Sequence, residues 1–328
     1  MKKFCALFYK ISRLLTQFNI AIGVTMSLKH NGILLMTLSG LFFGFMPIMV
    51  RWANHAHYSA LQVTFCRFVF ALIGVGLMVL LGIQKIQVVN KRAVFFRGFF
   101  GGLTVFFYFI AIQLTTIATA TLLNYTYSIW ANVFAVLFLR HRPPKGFALT
   151  LLLACAGVWL VLGVGMAGFE GGEWFGVLSG TCAGAGVASI KVARKTDNAL
   201  TVFGSFSLFG LLTAVLGLCL TPFLGDSFAP LGRWNPIDGK GIWLLMAMGA
   251  CAMGAQLLFT HGYKYASLAM GTLLSLITPV LAALFGWWIL GEPLTPHFVL
   301  GTTMVLAACA ILGWQENRLG PQADGPKI

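Results

Sequence analysis

Charge is scarce in this chain, and negative charge is scarcer still. Of 328 residues only 9% are Asp, Glu, Lys or Arg, and 8 of those are acids. A water-soluble domain carries about a quarter of its residues charged, so a soluble fold is excluded at the outset. The acids are also in the wrong places for interior chemistry: Glu170, Glu173, Asp197, Asp226, Asp238, Glu292, Glu316 and Asp324 all fall in loops or at the ends of apolar runs. No Walker loop is present, which leaves ATP-driven work without its phosphate cradle. The seven cysteines, Cys5, Cys66, Cys155, Cys182, Cys219, Cys251 and Cys309, form no C-x-x-C pair and no group with His at ligand spacing. Free thiols are expected, with no disulfide framework, no structural metal and no cofactor. A catalytic set is missing too, because a lone His261 near a helix end supplies neither nucleophile nor paired base, so no enzyme is expected.

What the chain has in abundance is apolar length. Hydrophobic residues make up 59% of it and the mean hydropathy is +0.87. A hydrocarbon core about 30 Å thick takes roughly 20 apolar residues per helical crossing. Such runs fall at 32–50, 60–83, 94–112, 117–139, 147–167, 174–190, 199–221, 241–261, 267–290 and 297–314. They are too long and too continuous for barrel strands, and open strands would leave backbone groups unpaired in lipid. The expected fold is an all-α integral membrane protein with ten transmembrane helices. The longest break, Gly225 to Gly239, leaves no room for a soluble output domain.

The 22 Lys and Arg residues give a net charge of +14. In a soluble protein that would raise nucleic acid, but here the charges follow the rule for cytoplasmic loops. With the N-terminus placed inside, 18 lie on the inner side: Lys2, Lys3, Lys10, Arg13, Lys29, Lys85, Lys91, Arg92, Arg97, Arg140, Arg142, Lys145, Lys191, Arg194, Lys195, Lys264, Arg318 and Lys327. Arg51, Arg233 and Lys240 lie on the outer side, and Arg67 lies inside a span. The count predicts a multi-pass protein of the plasma (inner) membrane with both termini cytoplasmic. Residues 1–28 read either as an amphipathic arm on the inner leaflet or as a mis-assigned start ahead of Met26.

The chain repeats itself. A shift of 151 lays Ala118, Thr121, Leu122 and Leu123 on Ala269, Thr272, Leu273 and Leu274, with Ala131 on Ala282, Leu139 on Leu290 and Phe107-Tyr108 on Leu258-Phe259. A shift of 139 to 140 lays Ser39-Gly40 and Gly44 on Ser179-Gly180 and Gly184, and Ala60-Leu61 and Val63 on Ala199-Leu200 and Val202. Two halves follow, 29–167 and 168–315, with a tail at 316–328. Five helices per half is odd, so tandem copies insert in opposite orientations, the inverted-repeat plan of secondary transporters.

The series Tyr265-Ala266-Ser267-Leu268-Ala269, Leu276-Ile277-Thr278-Pro279-Val280 and Leu290-Gly291-Glu292-Pro293 resembles the EamA repeat of the drug/metabolite transporter superfamily. The likeness runs from about residue 30 to 315. It implies a 5+5 helical transporter, often an exporter of amino acids or other small metabolites, with a central cavity and the ninth-helix Pro279 beside it as a hinge. The first half departs from the pattern: Ser128 stands where Pro279 would match, and Arg140-His141-Arg142 replaces the Gly-Glu-Pro turn.

Candidate substrate contacts follow from polar and aromatic residues placed in mid-span. Arg67 lies about seven residues into the second run, at a cost of about 2.5–3.5 kcal/mol on insertion scales. It reads either as a cation reaching the interface or helix carbonyls, or as a fixed charge suited to a carboxylate. In the fourth run Asn124, Ser128 and Ala131 share one helical face, and Tyr127 and Trp130 another. Asn124, Tyr127 and Trp130 suit a small amphipathic solute, and Tyr108, Gln256, His261, Ser275 and Thr278 are weaker candidates on neighbouring helices. Glycine pairs four apart, such as Gly40 and Gly44 or Gly180 and Gly184, predict close helix packing.

The function expected is export or exchange of a small metabolite, such as an amino acid or related solute, by alternating access. A membrane sensor without transport, or a carrier of nucleoside-type metabolites such as S-adenosylmethionine, stays open as the alternative. With no carboxylate in a span, flux is expected to follow the substrate gradient rather than protons. The partners expected are a small-molecule solute and the lipid bilayer, with no nucleic acid and with a homodimer left open.

Overall fold

The computed structural model describes residues 28–139, 171–223, 229–266, 268–275, 277–291 and 295–318, with isolated positions between 149 and 160. Among these residues helices are joined by turns and short extended connections, without strands. The long helices are α1 (Leu28–His55), α2 (Ala60–Leu80), α3 (Lys91–Leu114), α6 (Gly172–Ala193), α7 (Ala199–Leu220), α9 (Gly239–Gly262) and α12 (Pro296–Arg318). The fourth run is divided into α4 (Ile117–Tyr125) and α5 (Tyr127–Leu139), and the ninth is described as α10 (Leu268–Ser275) and α11 (Ile277–Leu290), with residue 276 outside the described residues. The short α8 (Ala229–Gly232) lies in the longest connection. Helices therefore stand at nine of the ten expected positions among the described residues, and six of them are long and apolar enough to cross a membrane. Most of the fifth run, the arm before residue 28, the loop at 140–145, Glu292 and the tail after 318 lie outside the described residues.

Helix starts follow local chemistry. Side-chain oxygens of Ser59, Asn90, Thr116, Asn198 and Asp238 accept backbone N–H groups at the starts of α2, α3, α4, α7 and α9. Ser59 and Asn198 hold equivalent places under the 139-residue shift, so both halves begin their second helix with the same device.

The repeat governs the packing as well. The most extensive helix contacts are α3 with α6 and α9 with α1, the third helix of each half lying on the first helix of the other. Ser39 Oγ on α1 donates to the Ala255 carbonyl at 2.8 Å, and Ser179 Oγ on α6 donates to the Thr104 carbonyl at 2.9 Å. Thr104 and Ala255 are 151 residues apart, so the second bond repeats the first. The glycine pairs behave alike. A Cβ on Gly44 would stand 2.8 Å from Leu281 Cβ, and one on Gly184 would stand 2.4 Å from Trp130 Cβ, residues again 151 apart. Only glycine permits that approach, and close approach is what holds helices together where lipid removes the hydrophobic drive.

The outer surface is apolar, as a lipid-facing surface must be. Trp243 and Trp288 are 72% and 75% exposed, and Leu80 and Phe223 more so. Trp52, Trp174, Trp234, Trp243, Trp287 and Trp288 lie exposed toward the end of the bundle that carries the 55–59 turn, the level at which indole rings sit in a bilayer interface.

The division at Thr126 needs no proline. Thr126 Oγ1 donates to the Leu123 carbonyl at 2.7 Å and Ser128 Oγ to the Tyr125 carbonyl at 3.1 Å, so hydroxyls take up acceptors that the helical ladder would otherwise use. In the second half Pro279 lacks the N–H that would reach Ser275, and residue 276 between α10 and α11 lies outside the described residues. Ser128 thus stands at the proline's place with a different chemistry.

Candidate functional site

At the centre of the bundle lies a cavity of about 80 Å³, enough for a few waters and narrow for a metabolite. Its lining combines Arg67, Arg97, Asn124 and Gln256 with the aromatic side chains of Phe43, Tyr108, Tyr125, Tyr127, Phe206 and Phe259. The lining obeys the repeat: Arg67 and Phe206, Val105 and Gln256, Tyr108 and Phe259, and Phe43 and Ala183 are equivalent pairs with both members at the cavity wall. The site therefore lies where the halves meet, yet its charge comes from the first half alone.

Arg67 and Arg97 are 3% and 4% exposed. Among the described residues neither has a hydrogen bond or an ion pair, and Nη1 of Arg67 and Nε of Arg97 are buried without an acceptor there. What they touch is aromatic. The Arg67 guanidinium carbon lies 5.4 Å from the ring centroids of both Phe68 and Phe109 and 5.8 Å from that of Phe206, and Arg97 lies 4.4 Å from the Phe206 ring. Cation–π contacts of about 0.5–2 kcal/mol soften the burial of a cation without neutralising it. Among the described residues no carboxylate lines the cavity.

The polar residues around the pair are fixed by their own bonds. Asn124 Nδ2 donates to Ser179 Oγ at 2.5 Å, which ties it into the Ser179–Thr104 link between α6 and α3. The Tyr108 hydroxyl pairs with Thr121 Oγ1 at 2.8 Å, and the Tyr127 hydroxyl pairs with Ser275 Oγ across the halves. Ser275 also donates toward the Gly271 and Thr272 carbonyls, each at 2.9 Å. Such a wall offers hydrogen-bond donors in fixed positions. It offers no nucleophile with a base.

Of the residues expected from sequence, Arg67, Tyr108, Asn124, Tyr127 and Gln256 are brought together on this cavity. Ser275 sits one bond behind Tyr127, and buried Thr278 ties α11 to α1 through the Gly40 carbonyl at 3.5 Å. Pro279 is buried in the first turn of α11, near but not on the lining. Two candidates lie off this cavity. Trp130 is half-buried off the cavity: α6 comes so close at Gly184 that its backbone covers the Trp130 Cβ, and the ring stacks on Phe134 at 6.3 Å. Tyr127 and Trp130 both follow the turn at Thr126 on α5, where a spacing of three sets them about 60° apart, enough for one to line the cavity and the other to miss it. His261 faces Tyr265 at 5.7 Å near the end of α9, about 140° around the helix from Gln256.

Arg97 is the residue that sequence reasoning misplaced. Counted with the cytoplasmic loops, it lies six residues into α3 and faces the cavity. Removing it from the inner-side tally leaves 17 against 3, so the asymmetry survives. The signal available was its setting, Phe95-Phe96-Arg97-Gly98, inside the apolar run beginning at 94. Space for it is built into the backbone: a Cβ on Gly101 would stand 2.6 Å from Arg97 Nη1, and one on Gly186 would stand 3.2 Å away.

Both ends of the bundle are strapped by polar contacts. At one end Tyr58 donates to Asp238 Oδ1 at 2.7 Å, and the Gln62 amide exchanges two bonds with the Asn235 backbone at 2.6 and 3.1 Å. At the other, Asp197 accepts from the Val89 and Asn90 N–H groups at 2.7 and 3.1 Å, and Arg194 Nε donates to the Thr260 carbonyl at 3.2 Å.

Comparison with known proteins agrees with this architecture. A transporter of Archaeoglobus fulgidus, itself uncharacterised, is 29% identical over 280 residues, 85% of this chain and 94% of its own. The pseudopaline exporter CntI of Pseudomonas aeruginosa is 25% identical over 297 residues, covering 88% of this chain and 98% of that one. Solute carrier family 35 member G1 of Mus musculus is 23% identical over 229 residues, 62% of this chain and 59% of its own. A solved crystal structure superposes with a TM-score of 0.62 at 19% identity, over 89% of this chain and 99% of that one. The EamA-like transporter family matches in two consecutive segments, residues 30–163 and 171–314, and the chain belongs to that family.

Proposed function

We propose that this transporter moves a small carboxylate-bearing metabolite across the plasma (inner) membrane by alternating access, in the direction of export. The observation that carries the reading is Arg67: a cation 3% exposed, without an acceptor among the described residues, at the wall of a central cavity whose described lining contains no acid. A charge so placed is costly unless a ligand supplies its counter-ion. The same cavity disfavours a cationic solute such as S-adenosylmethionine, since both charges among its described lining residues are positive and its aromatic faces already meet them. The exporter named among the relatives supports the direction.

In this reading ten helices cross the membrane as two five-helix halves of opposite orientation, both termini are cytoplasmic, and the protein carries out no covalent chemistry. The end bearing Tyr58, Gln62, Asn235 and Asp238 faces outward and the end bearing Arg194 and Asp197 faces the cytoplasm. Access alternates by rocking one half on the other, so the bonds that cross the halves break in turn, Tyr58–Asp238 and Gln62–Asn235 at one end and Asp197 with Val89 and Asn90 at the other. An untargeted comparison of growth media from overexpressing and deletion cells tests the proposal. Carboxylate-bearing metabolites are expected to rise outside the overexpressing cells, and unchanged media would count against export.

A further inference from the structure

We infer that the transported solute is a small organic dianion, one negative charge for each of Arg67 and Arg97. The inference rests on the transport reading above and deepens it. Two buried cations share one cavity, and both lie against the same ring, their guanidinium carbons 5.8 and 4.4 Å from the Phe206 centroid. They are therefore no farther apart than the sum of those distances, about 10 Å, which one short molecule can span. No described acid compensates either of them. Like charges this close in a medium of low dielectric repel each other, and a monoanion would leave one of them bare. A zwitterionic amino acid would fare worse, because its ammonium group would meet a wall with no carboxylate. A dianion neutralises both cations at once.

The remaining lining suits such a solute. Asn124 and Gln256 bring amide groups able to hydrogen-bond oxygens left over from the guanidinium contacts, while Tyr108 and Phe259, equivalent in the two halves, flank the cavity with rings for a short carbon skeleton. The Arg97 position is constructed rather than incidental, since α3 and α6 each lack a Cβ where its guanidinium lies, at Gly101 and Gly186. The shared chemistry is charge −2, whether carried by two carboxylates or by one phosphate ester.

Thermal unfolding of the full chain in detergent at constant ionic strength tests this with malonate, succinate, glutarate and glycerol 3-phosphate against acetate, butyrate and alanine. Dianions should raise the unfolding temperature at concentrations where the others do not. Response to the dicarboxylates alone would place the two charges on separate groups, and response to the phosphate ester alone would place them on one; either supports the inference. Arg67→Gln and Arg97→Gln should each unfold at a higher temperature than wild type without ligand, since an uncompensated buried charge is gone, and each should bind the dianion at least tenfold more weakly. An arginine serving only the fold would give lower unfolding temperatures in both variants. Should a variant fail to fold, wild-type exchange in proteoliposomes over the same panel decides. Exchange of acetate, butyrate or alanine with no dianion moving would overturn the inference and leave the transport reading standing. Absence of exchange for every solute, with no dianion stabilising the protein, would count against both.

Discussion

Arg67 and Phe206 hold equivalent places in the two halves of the chain, and in the folded protein they meet, the guanidinium carbon of one 5.8 Å from the ring centroid of the other. A duplicated helix pair thus supplies a cation from one copy and an aromatic face from the other. Symmetry builds the cavity, and its breaking gives the cavity a sign. Replacing Phe206 by Leu, which keeps apolar volume but removes the ring quadrupole facing both arginines, should weaken solute affinity severalfold while the protein stays folded. Michaelis constants for exchange in proteoliposomes measure this, and an unchanged constant would separate the ring from the site.

The room left at Gly101 should matter as much as the arginine it accommodates. A methyl group there stands 2.6 Å from Arg97 Nη1 and 2.6 Å from the Phe206 ring, so Gly101→Ala must push the guanidinium aside. Flux is expected to fall at least tenfold. Gly239→Ala is the control, because a Cβ there meets nothing within 4 Å.

The repeated serine bonds offer a comparison of structure with site. Ser39→Ala removes one bond between α1 and α9 and should cost about 0.6 kcal/mol, the mean for such bonds in membranes, with flux retained. Ser179→Ala removes the equivalent bond but also deprives Asn124 of its acceptor at the cavity wall, so flux should fall as well. Equal flux in the two variants would mean that Asn124 needs no positioning.

How much of this was legible in the sequence differs between fold and site. The spans and the repeat could be read because lipid imposes length and apolarity, and because both copies kept the same small and hydroxyl residues at their packing points. Arg67 stood out by depth alone. Arg97 did not, since it lies within two turns of a helix start that also carries Lys91 and Arg92, where a count of basic loops absorbs it. Trp130 was not separable from Tyr127 in the sequence, because the two share α5 at a spacing of three and only the close approach of Gly184 to the Trp130 Cβ distinguishes their surroundings.

The strap at the 55–59 turn should hold across the physiological pH range. Its hydrogen bond from Tyr58, together with the Gly241 N–H, holds the Asp238 carboxyl below the ordinary carboxylate value, and the same bond raises the Tyr58 phenol above its own. The depressed carboxyl keeps its contribution above about pH 4, the unfolded value, and loses it as pH falls through the lower folded one. Exchange of the Gly241 amide with deuterium should therefore be no faster at pH 5 than at pH 8 beyond the intrinsic rate change, and should accelerate severalfold in Tyr58→Phe. A transition between pH 5 and 8 would assign the strap to another group.

Orientation can be tested at two exposed positions. In intact cells an impermeant thiol reagent should modify a cysteine replacing Trp234 and spare one replacing Lys195. The reverse pattern would invert the topology and with it the direction assigned to the straps.

The central claim is that buried, unpaired cations in the cavity bind the transported solute, and counterflow in proteoliposomes tests it most directly. Vesicles loaded with the unlabelled anion that best stabilises the protein should transiently accumulate the labelled form above its external level, without any imposed pH gradient. Arg67→Gln and Arg97→Gln should each reduce that overshoot at least tenfold, while His261→Gln keeps most of it. An undiminished overshoot in both arginine variants would contradict the account.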